Sequence, residues 1–495
     1  MRVVQICSEA VPFAKTGGLA DVTGALSKAL VELGHDVTLI LPNYARFLAK
    51  NKMESKPIGE SFEIPSGDRR VLIALRQTQM SGSDVRVVLV DQPELFDRDG
   101  IYQEPQSKAD YADNAARFTA FPRAALEAVA RLDLRPDIIQ AHDWQTGLVP
   151  ALLEAQYRQW VPAMRRTAAI MTLHNMAFQG AYSADTMPLT GLGYEYFNWK
   201  QMEFWKQVNL LKTGIVFADL INTVSPTYAR EIQTPEFGHG LDGVLCDRAA
   251  DLTGILNGID SHEWNPSVDA HLPAKYDIES LDVGKVECKR ALQQRLKLPQ
   301  RADVPLFGLV SRMSWQKGFD LIGACADRLL ERDVQLVILG NGQPEYEELC
   351  RSLATKYPQK ARAVIGYDES LAHQIEAGSD LFLMPSKFEP CGLNQMYSMA
   401  YGTPPIVRAT GGLTDSVIGA TSETLANGTA TGFSFRDHEP DQFWQQLDWS
   451  LKLFADKPVW RRIQRAGMSR DWSWSRSARE YVALYERAMA RRANR

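Results

Sequence analysis

Hydrophobic positions along this chain follow two alternating periods. A short apolar run, Val3 to Cys7, gives way to a glycine-containing loop. Leu19, Val22, Leu26, Leu30 and Leu33 then recur at helical spacing up to Gly34, and a second apolar run, Val37 to Leu41, follows. The pattern predicts a β-α-β unit at the start. Strand-then-helix pairs return at Asp137 to Ala141 before Gln145 to Gln156, and at Leu220 to Val224 before Pro226 to Gln233, where proline suits a first helical turn. Such alternation predicts an α/β architecture with a mainly parallel sheet. Within it, Val71 to Leu75 and Val85 to Val90 are β-rich with no helix between them, which predicts a hairpin insertion at about 56–91.

Periodicity fades between Trp264 and Asp282, a stretch holding Pro266, Pro273 and Ser280. The fading places a linker at 266–283, between a first domain at 1–265 and a second at 284–470. The second has strand patterns at Leu306 to Val310, Gln335 to Gly340, Ala363 to Ile365, Asp380 to Met384 and Pro405 to Val407, each followed by a helical one. It is expected to be a second doubly wound domain whose ligand lies beyond the carboxyl ends of its strands. Phe443 to Ala490 reads as helix throughout, ending in a terminal helix at 471–495. Its tryptophans (Trp444, Trp449, Trp460, Trp472 and Trp474) are expected to pack between helices rather than serve as sugar platforms, because large aromatics usually fill cores.

With 495 residues, 45% of them hydrophobic, the chain is long enough for two or three cores. Its 55 lysines and arginines against 60 acidic residues leave a net charge of -5 with no long single-sign block, which argues against a general nucleic-acid binder or a polybasic membrane protein. An anionic ligand must then be met by a local cluster. The six cysteines show no C-x-x-C spacing, so free thiols in a reducing compartment and no structural zinc site are expected. The apolar run at the N-terminus is too short for a secretory signal, and no stretch approaches 18 uninterrupted apolar residues. A cytoplasmic location is the expectation.

Candidate chemistry gathers at predicted strand ends. Lys15-Thr16-Gly17-Gly18-Leu19 separates the first strand from the first helix, where adjacent glycines let backbone N–H groups approach a ligand and a helix N-terminus favours an anion. It has neither the G-x-G-x-x-G nor the Walker order, and a tight turn with a solvated lysine would read the same way. Arg312 and Lys317 stand five residues apart at the mouth of the second sheet, a planar fork and a compact charge suited to a diphosphate. Gly340-Asn341-Gly342 is a further turn at a strand end. Glu389, fixed by Pro390, precedes Gly392-Leu393-Asn394, which start a helix with free N–H groups, and Thr410-Gly411-Gly412-Leu413 echoes the first loop. His142-Asp143-Trp144 and His174-Asn175 follow two strands and suit recognition of sugar hydroxyls. Asp97-Arg98-Asp99 reads as a polar loop rather than a metal site. Architecture alone would also fit a nicotinamide oxidoreductase, though the glycine fingerprint that class needs is missing.

Taken together with Thr223-Val224-Ser225-Pro226-Thr227-Tyr228-Ala229 and Asn257-Gly258-Ile259-Asp260, these motifs resemble, in order from residue 3 to about 475, the family of bacterial glycogen synthases and plant starch synthases. The resemblance implies a GT-B hexosyltransferase with two Rossmann-like domains facing a cleft. Its expected reaction is retaining transfer of glucose from ADP-glucose to the non-reducing end of an α-1,4-glucan, with no metal or other cofactor, no nucleic acid and no membrane. It further implies that Arg312 and Lys317 bind the donor diphosphate, that Lys15 and Gly18 reach the distal phosphate, and that Gly392, Leu393 and Asn394 offer backbone donors. Glu389, Asp143, His174 and Asn257 are implied around the donor sugar, Tyr102 near the reaction centre and Tyr367 against the base. Two positions depart from the family pattern. A second glutamate eight residues after Glu389 is replaced by Tyr397, and Asn394 stands where many members have threonine.

Overall fold

A computed structural model describes residues 1–494, which form two compact units. The first comprises Met1–Asn257 together with the described residues from Trp474 onward, and the second comprises Gly258–Ser473. Each is built on its own parallel sheet.

In the first unit the parallel strands run, across the sheet, Leu252–Gly254, Leu220–Thr223, Ala168–Leu173, Ile138–His142, Arg2–Ile6, Asp36–Pro42 and Arg86–Asp91. The strands from Leu220 to Ile6 are almost wholly buried, as expected of a parallel sheet covered on both faces, which is why they read as unbroken apolar runs. Arg69–Gln79 pairs antiparallel with Arg86–Asp91, and the latter pairs parallel with Asp36–Pro42. The region read as a hairpin insertion therefore widens the main sheet rather than standing apart from it.

The second unit has six parallel strands in the spatial order Ala361–Ile365, Gln335–Gly340, Leu306–Val310, Leu381–Met384, Pro405–Arg408 and Phe433–Phe435. In chain order this is 3-2-1-4-5-6, the doubly wound dinucleotide-fold arrangement. The last strand, Phe433–Phe435, is too short to stand out as an apolar run in the sequence. Both units reverse strand order beside their first strand, so in each the crevice at the carboxyl edge lies between strands one and four.

Two boundaries differ from the sequence expectation. Residues 266–283 are not a loose linker: Leu272, Tyr276 and Leu281 are buried in one cluster with Tyr401, the Tyr276 hydroxyl donates to the Tyr401 carbonyl at 2.8 Å, and a helix begins at Leu281. Irregular backbone hides its packing from a periodicity reading. The first unit ends at Asn257, ahead of the expected 265, and the terminal helix Trp474–Ala493 returns to it, burying Trp474, Ala478, Tyr481, Leu484, Tyr485 and Ala488 in the core of the first sheet. The two crossing segments lie side by side through a parallel bridge between Ile259 and Ser473. Trp444, Trp460, Trp472 and Trp474 are buried, and half-buried Trp449 donates its indole N–H to the Ala420 carbonyl at 3.0 Å, so all five pack.

Because Leu484 is buried in the first unit's core, Leu484→Ala should cost that unit about 2–5 kcal/mol. Urea unfolding followed by a probe in each unit should show the transition of the first moving to lower denaturant while that of the second stays in place; equal shifts would assign the tail to both.

Candidate functional site

Sequence-predicted residues of the first unit lie on loops that leave the carboxyl edge of its sheet, and the first of these holds a residue that pattern reading passed over. Glu9 follows strand Arg2–Ile6, is buried, and accepts hydrogen bonds from the Tyr102 hydroxyl at 2.6 Å, the Thr16 hydroxyl at 2.7 Å and the Thr16 backbone N–H. Burial pushes its carboxyl above the usual range against those donors. Ser8 lies 2.7 Å from the Tyr102 hydroxyl, whose own ionisation is pushed far up by burial and by Glu9. Tyr102 is thereby fixed as a neutral phenol. Lys15 is exposed and pairs with Asp21 at 2.7 Å. Gly17 and Gly18 open the following helix with nothing within 4 Å of an added Cβ, so the space in front of that N-terminus is open.

His142 and His174 stand at the ends of the two neighbouring strands, with His142 Nδ1 3.0 Å from His174 Nε2. A row of buried polar side chains crosses the sheet from this pair. His142 Nε2 meets Gln5 Oε1 at 2.5 Å, and Gln5 donates to Gln140 Oε1 and to the Tyr485 hydroxyl, each at 3.1 Å. Gln140 donates to Thr172 at 2.6 Å, Thr172 to Asn222 at 2.7 Å, and Asn222 to the Tyr481 hydroxyl at 3.2 Å. The Tyr485 hydroxyl donates to Gln140 Oε1. This order of donors fixes the tautomers. Gln5 Oε1 only accepts, so His142 carries its proton on Nε2 and its Nδ1 accepts from His174 Nε2–H. His174 is left with Nδ1 as its remaining hydrogen-bonding atom. Burial lowers His174 to about 3 and His142, which also faces His174, well below the usual imidazole value.

Asp143 is buried, and its Oδ1 accepts the His174 backbone N–H at 2.7 Å. Burial raises its carboxyl to about 7, against the N–H donors of His174 and Asn175. Its backbone has φ 55° and ψ −175°, a region that glycine tolerates and aspartate reaches only under strain of about 1–3 kcal/mol. Trp144 packs edge-on against Phe118 at 5.1 Å and lies 6.3 Å from the Tyr102 ring. Asn257 closes the set: it is buried, and its Oδ1 has no hydrogen-bond partner among the described residues. Asp97 and Asp99 both face Arg46, and Arg98 pairs with Asp113, an arrangement of a polar loop held by ion pairs.

In the second unit, Lys317 and Glu389 come from the loops after strands one and four, on either side of the strand-order reversal. Lys317 Nζ lies 2.5 Å from Glu389 Oε2, which also accepts from the Ser386 hydroxyl at 3.0 Å. Lys317 is followed by Gly318, at φ 75°, where a Cβ would stand 2.0 Å from the Pro385 carbonyl, so glycine lets the two loops close together. The Lys387 N–H donates to the Gln316 carbonyl at 2.8 Å, tying the same loops. Arg312 is exposed on the loop after strand one. Asn394 begins the helix Asn394–Ala400 and donates its side-chain amide to the Val310 carbonyl at 2.9 Å. Thr410-Gly411-Gly412 packs on the backbone of Glu389: the Gly412 N–H donates to the Glu389 and Pro390 carbonyls at 3.2 and 3.1 Å. Tyr367 is 82% exposed at the end of strand three. Tyr397, in place of a second glutamate, stacks on Trp264 at 3.9 Å and is packing.

Two doubly wound parallel sheets, each with charged and polar side chains on the loops at its switch point, define a two-domain glycosyltransferase of GT-B type. Residues 2–247 match the model of the starch synthase catalytic domain and residues 292–461 that of glycosyl transferases group 1. The chain is 46% identical over 486 residues to glycogen synthase of Anaeromyxobacter sp. (strain Fw109-5), covering 98% of this chain and 99% of that one, and 44% identical to glycogen synthase of Syntrophotalea carbinolica, covering 99% of each. It superimposes with a TM-score of 0.89, at 35% identity over 99% of both chains, on the catalytic domain of starch synthase IV from Arabidopsis thaliana bound to ADP and acarbose. The chain belongs to the starch and glycogen synthase family and is a glucosyltransferase.

The tautomer chain makes a direct prediction. In long-range proton–nitrogen spectra of histidine-labelled protein at pH 5.5, His142 and His174 should remain neutral with the proton on Nε2, although an unperturbed imidazole with a pKa near ~6.5 would be mostly charged there. An imidazolium at either position at that pH would break the proposed order of donors.

Proposed function

We propose that this glucosyltransferase moves glucose from ADP-glucose to the non-reducing end of an α-1,4-glucan, with retention at the anomeric carbon, in the cytoplasm. The observation that carries the reading is the Lys317–Glu389–Ser386 cluster at the switch point of a 3-2-1-4-5-6 sheet, with Arg312 on the same loop as Lys317 and the helix Asn394–Ala400 starting five residues after Glu389. Arg312, Lys317 and the N–H groups of Gly392, Leu393 and Asn394 take the donor diphosphate, and Lys15 and Gly18 take its distal phosphate. Tyr367, exposed after strand three, stacks on the base. Asp143, His174 and Asn257 bind sugar hydroxyls, and Tyr102 borders the reacting carbon. No helix among the described residues is long and apolar enough to cross a membrane.

The chemistry follows from charge. Breaking the bond from C1 to the phosphate oxygen leaves positive character on the sugar and an extra negative charge on the diphosphate. Glu389 offsets the first, and Arg312 with Lys317 the second. The acceptor's 4-hydroxyl oxygen bonds to C1 on the face the diphosphate leaves, and its proton passes to the departing phosphate oxygen. Retention on one face then needs no second carboxylate, in keeping with Tyr397. Neutral His174, with Nδ1 left to accept, suits a sugar hydroxyl as donor.

Initial rates with ADP-glucose and UDP-glucose on a maltooligosaccharide, with proton NMR of the new linkage, test the reading. Faster transfer from ADP-glucose to give an α-linked product is expected, and no transfer from either donor would overturn it. Lys317→Ala removes a charge-assisted contact and should lower kcat/KM about 10- to 150-fold, equivalent to roughly 1.5–3 kcal/mol, in a protein that stays folded.

Glu389→Gln keeps size and hydrogen bonding but loses charge. It should lower kcat about 100- to 1,000-fold, nearly as much as Glu389→Ala, with the ADP dissociation constant within a few-fold of wild type. Loss of donor affinity at unchanged kcat would make Glu389 a ground-state binding residue.

A further inference from the structure

Glu9, which the chemistry above does not use, ties two separate parts of the first unit to one buried carboxylate. Its Oε1 accepts the Tyr102 hydroxyl at 2.6 Å and the Thr16 hydroxyl at 2.7 Å, its Oε2 accepts the Thr16 backbone N–H, and the Gly17 backbone N–H donates to the same carboxylate. We propose that Glu9 is a positioning residue of the donor site, holding the segment Lys15–Gly18 in the form that receives the distal phosphate. This role rests on the phosphate contacts proposed above for Lys15 and Gly18, and adds the group that sets the shape of their turn.

Glu9 is itself held on two sides. Its backbone carbonyl accepts the Thr23 hydroxyl at 2.7 Å, and Thr23 lies on the first helix, Gly18–Glu32. Two residues on, the Val11 N–H donates to the Ala20 carbonyl of the same helix at 3.0 Å. The backbone of Glu9 is thus fastened to the body of that helix while its side chain fastens the turn that leads into it. Tyr102, 93 residues away in sequence, is anchored in the same manner: its carbonyl accepts the Tyr111 N–H at 3.0 Å and the amide of buried Asn114 at 2.9 Å. Because the Tyr102 hydroxyl gives its proton to Glu9, the Ser8 hydroxyl donates to it at 2.7 Å. With those two bonds directed inward, Tyr102 serves as a strut for the carboxylate.

A carboxylate suits this place because every partner donates. It offers about four acceptor sites, which matches two hydroxyls and two backbone N–H groups. Gly17 and Gly18 bring no side chain to the turn, and nothing lies within 4 Å of an added Cβ at either, so side-chain packing does not set its course. Lys15 precedes the turn and pairs with Asp21 of the following helix at 2.7 Å, so a shift of the turn carries the ammonium with it. Glutamine at position 9 can still accept the Thr16 N–H if its NH2 group faces the two hydroxyls and these reverse to accept, with the Tyr102 proton turned to Ser8. Alanine leaves all four donors without the acceptor.

The test is steady-state kinetics of the full chain with ADP-glucose and a maltooligosaccharide, with the thermal midpoint of each variant followed in parallel. Glu9→Ala should raise the donor KM about tenfold or more, with kcat changed less, and Glu9→Gln should recover most of that rise. Tyr102→Phe should raise the donor KM a few-fold in the parent and add nothing to Glu9→Ala, where the strut has no carboxylate to hold. Lys15→Ala separates this role from the reading beneath it. An unchanged donor KM in that variant overturns the phosphate role of the turn and the Glu9 role with it, whereas a raised one beside a parental value in Glu9→Ala overturns the Glu9 role alone. A lowered midpoint in Glu9→Ala with an unchanged donor KM, effects of Glu9 and Tyr102 that multiply, or a donor KM that falls because the carboxylate had opposed the donor's charge, would each overturn the proposal. If Glu9→Ala does not fold, Thr16→Val and Tyr102→Phe, which remove the two hydroxyls on Oε1 singly and together, must give a less than multiplicative rise in donor KM; parental values in both overturn it.

Discussion

The candidate site in each unit depends on one topological constraint. In each unit the strands on the two sides of the first strand are wound onto opposite faces of the sheet, so the connections leaving the carboxyl edge diverge there and leave a crevice that side chains from several loops reach. Glu9 and Lys15 in the first unit, and Arg312 and Lys317 in the second, leave strand one. Asp143 and Glu389 leave strand four. The parallel alignment also fixes polarity: strand ends present carbonyls and helix starts present N–H groups on the same edge, a place suited to anionic and polyhydroxyl ligands.

Holding polar groups at that edge works against stability, and the structure shows where the opposing terms lie. Glu9 and Asp143 are buried carboxyls with raised pKa values, and His142 and His174 are buried imidazoles with lowered ones. The signs oppose each other. The carboxyls lose stability as pH rises from their unfolded values toward their folded ones, whereas the histidines lose it as pH falls below their unfolded value toward the folded ones, so neither extreme is favoured. The row from Gln5 to Tyr481 leaves few of its buried dipoles unpaired, and its last members sit on the terminal helix. That helix therefore supplies more than apolar cover. It closes a hydrogen-bond order that ends at His142 and His174 on the carboxyl edge of the sheet.

Much of the architecture was legible because parallel strands buried on both faces must be apolar runs, and helices between them must show a 3.6 period. The loops at the carboxyl edges of the two sheets were legible wherever unusual residues stand in them, as with Lys15, Arg312, Lys317 and Glu389. Three things were not. Gln5 and Gln140 look like interruptions of a strand and show their meaning only when register sets them opposite each other. Glu9 is a lone charge just past a strand, and only folding reveals that Tyr102, 93 residues away, closes on it. Trp264 to Asp282 looked like a linker because irregular backbone buries Tyr276 and Leu281 without any period to betray them.

The two Gly-Gly turns show how far a motif can be read without geometry. Gly17-Gly18 and Gly411-Gly412 share a sequence form, and both open helices. Around the first pair nothing lies within 4 Å of an added Cβ, so the protein's own packing does not demand glycine there. At Gly411 a Cβ would lie 2.0 Å from the Glu389 carbonyl, at φ 45°. Here glycine is required by the protein itself, so that the turn can press against the backbone of the carboxylate it positions. The same residue pair therefore acts at one sheet edge by leaving space and at the other by removing it, and what distinguishes them is which backbone lies opposite, a fact that enters only with the fold.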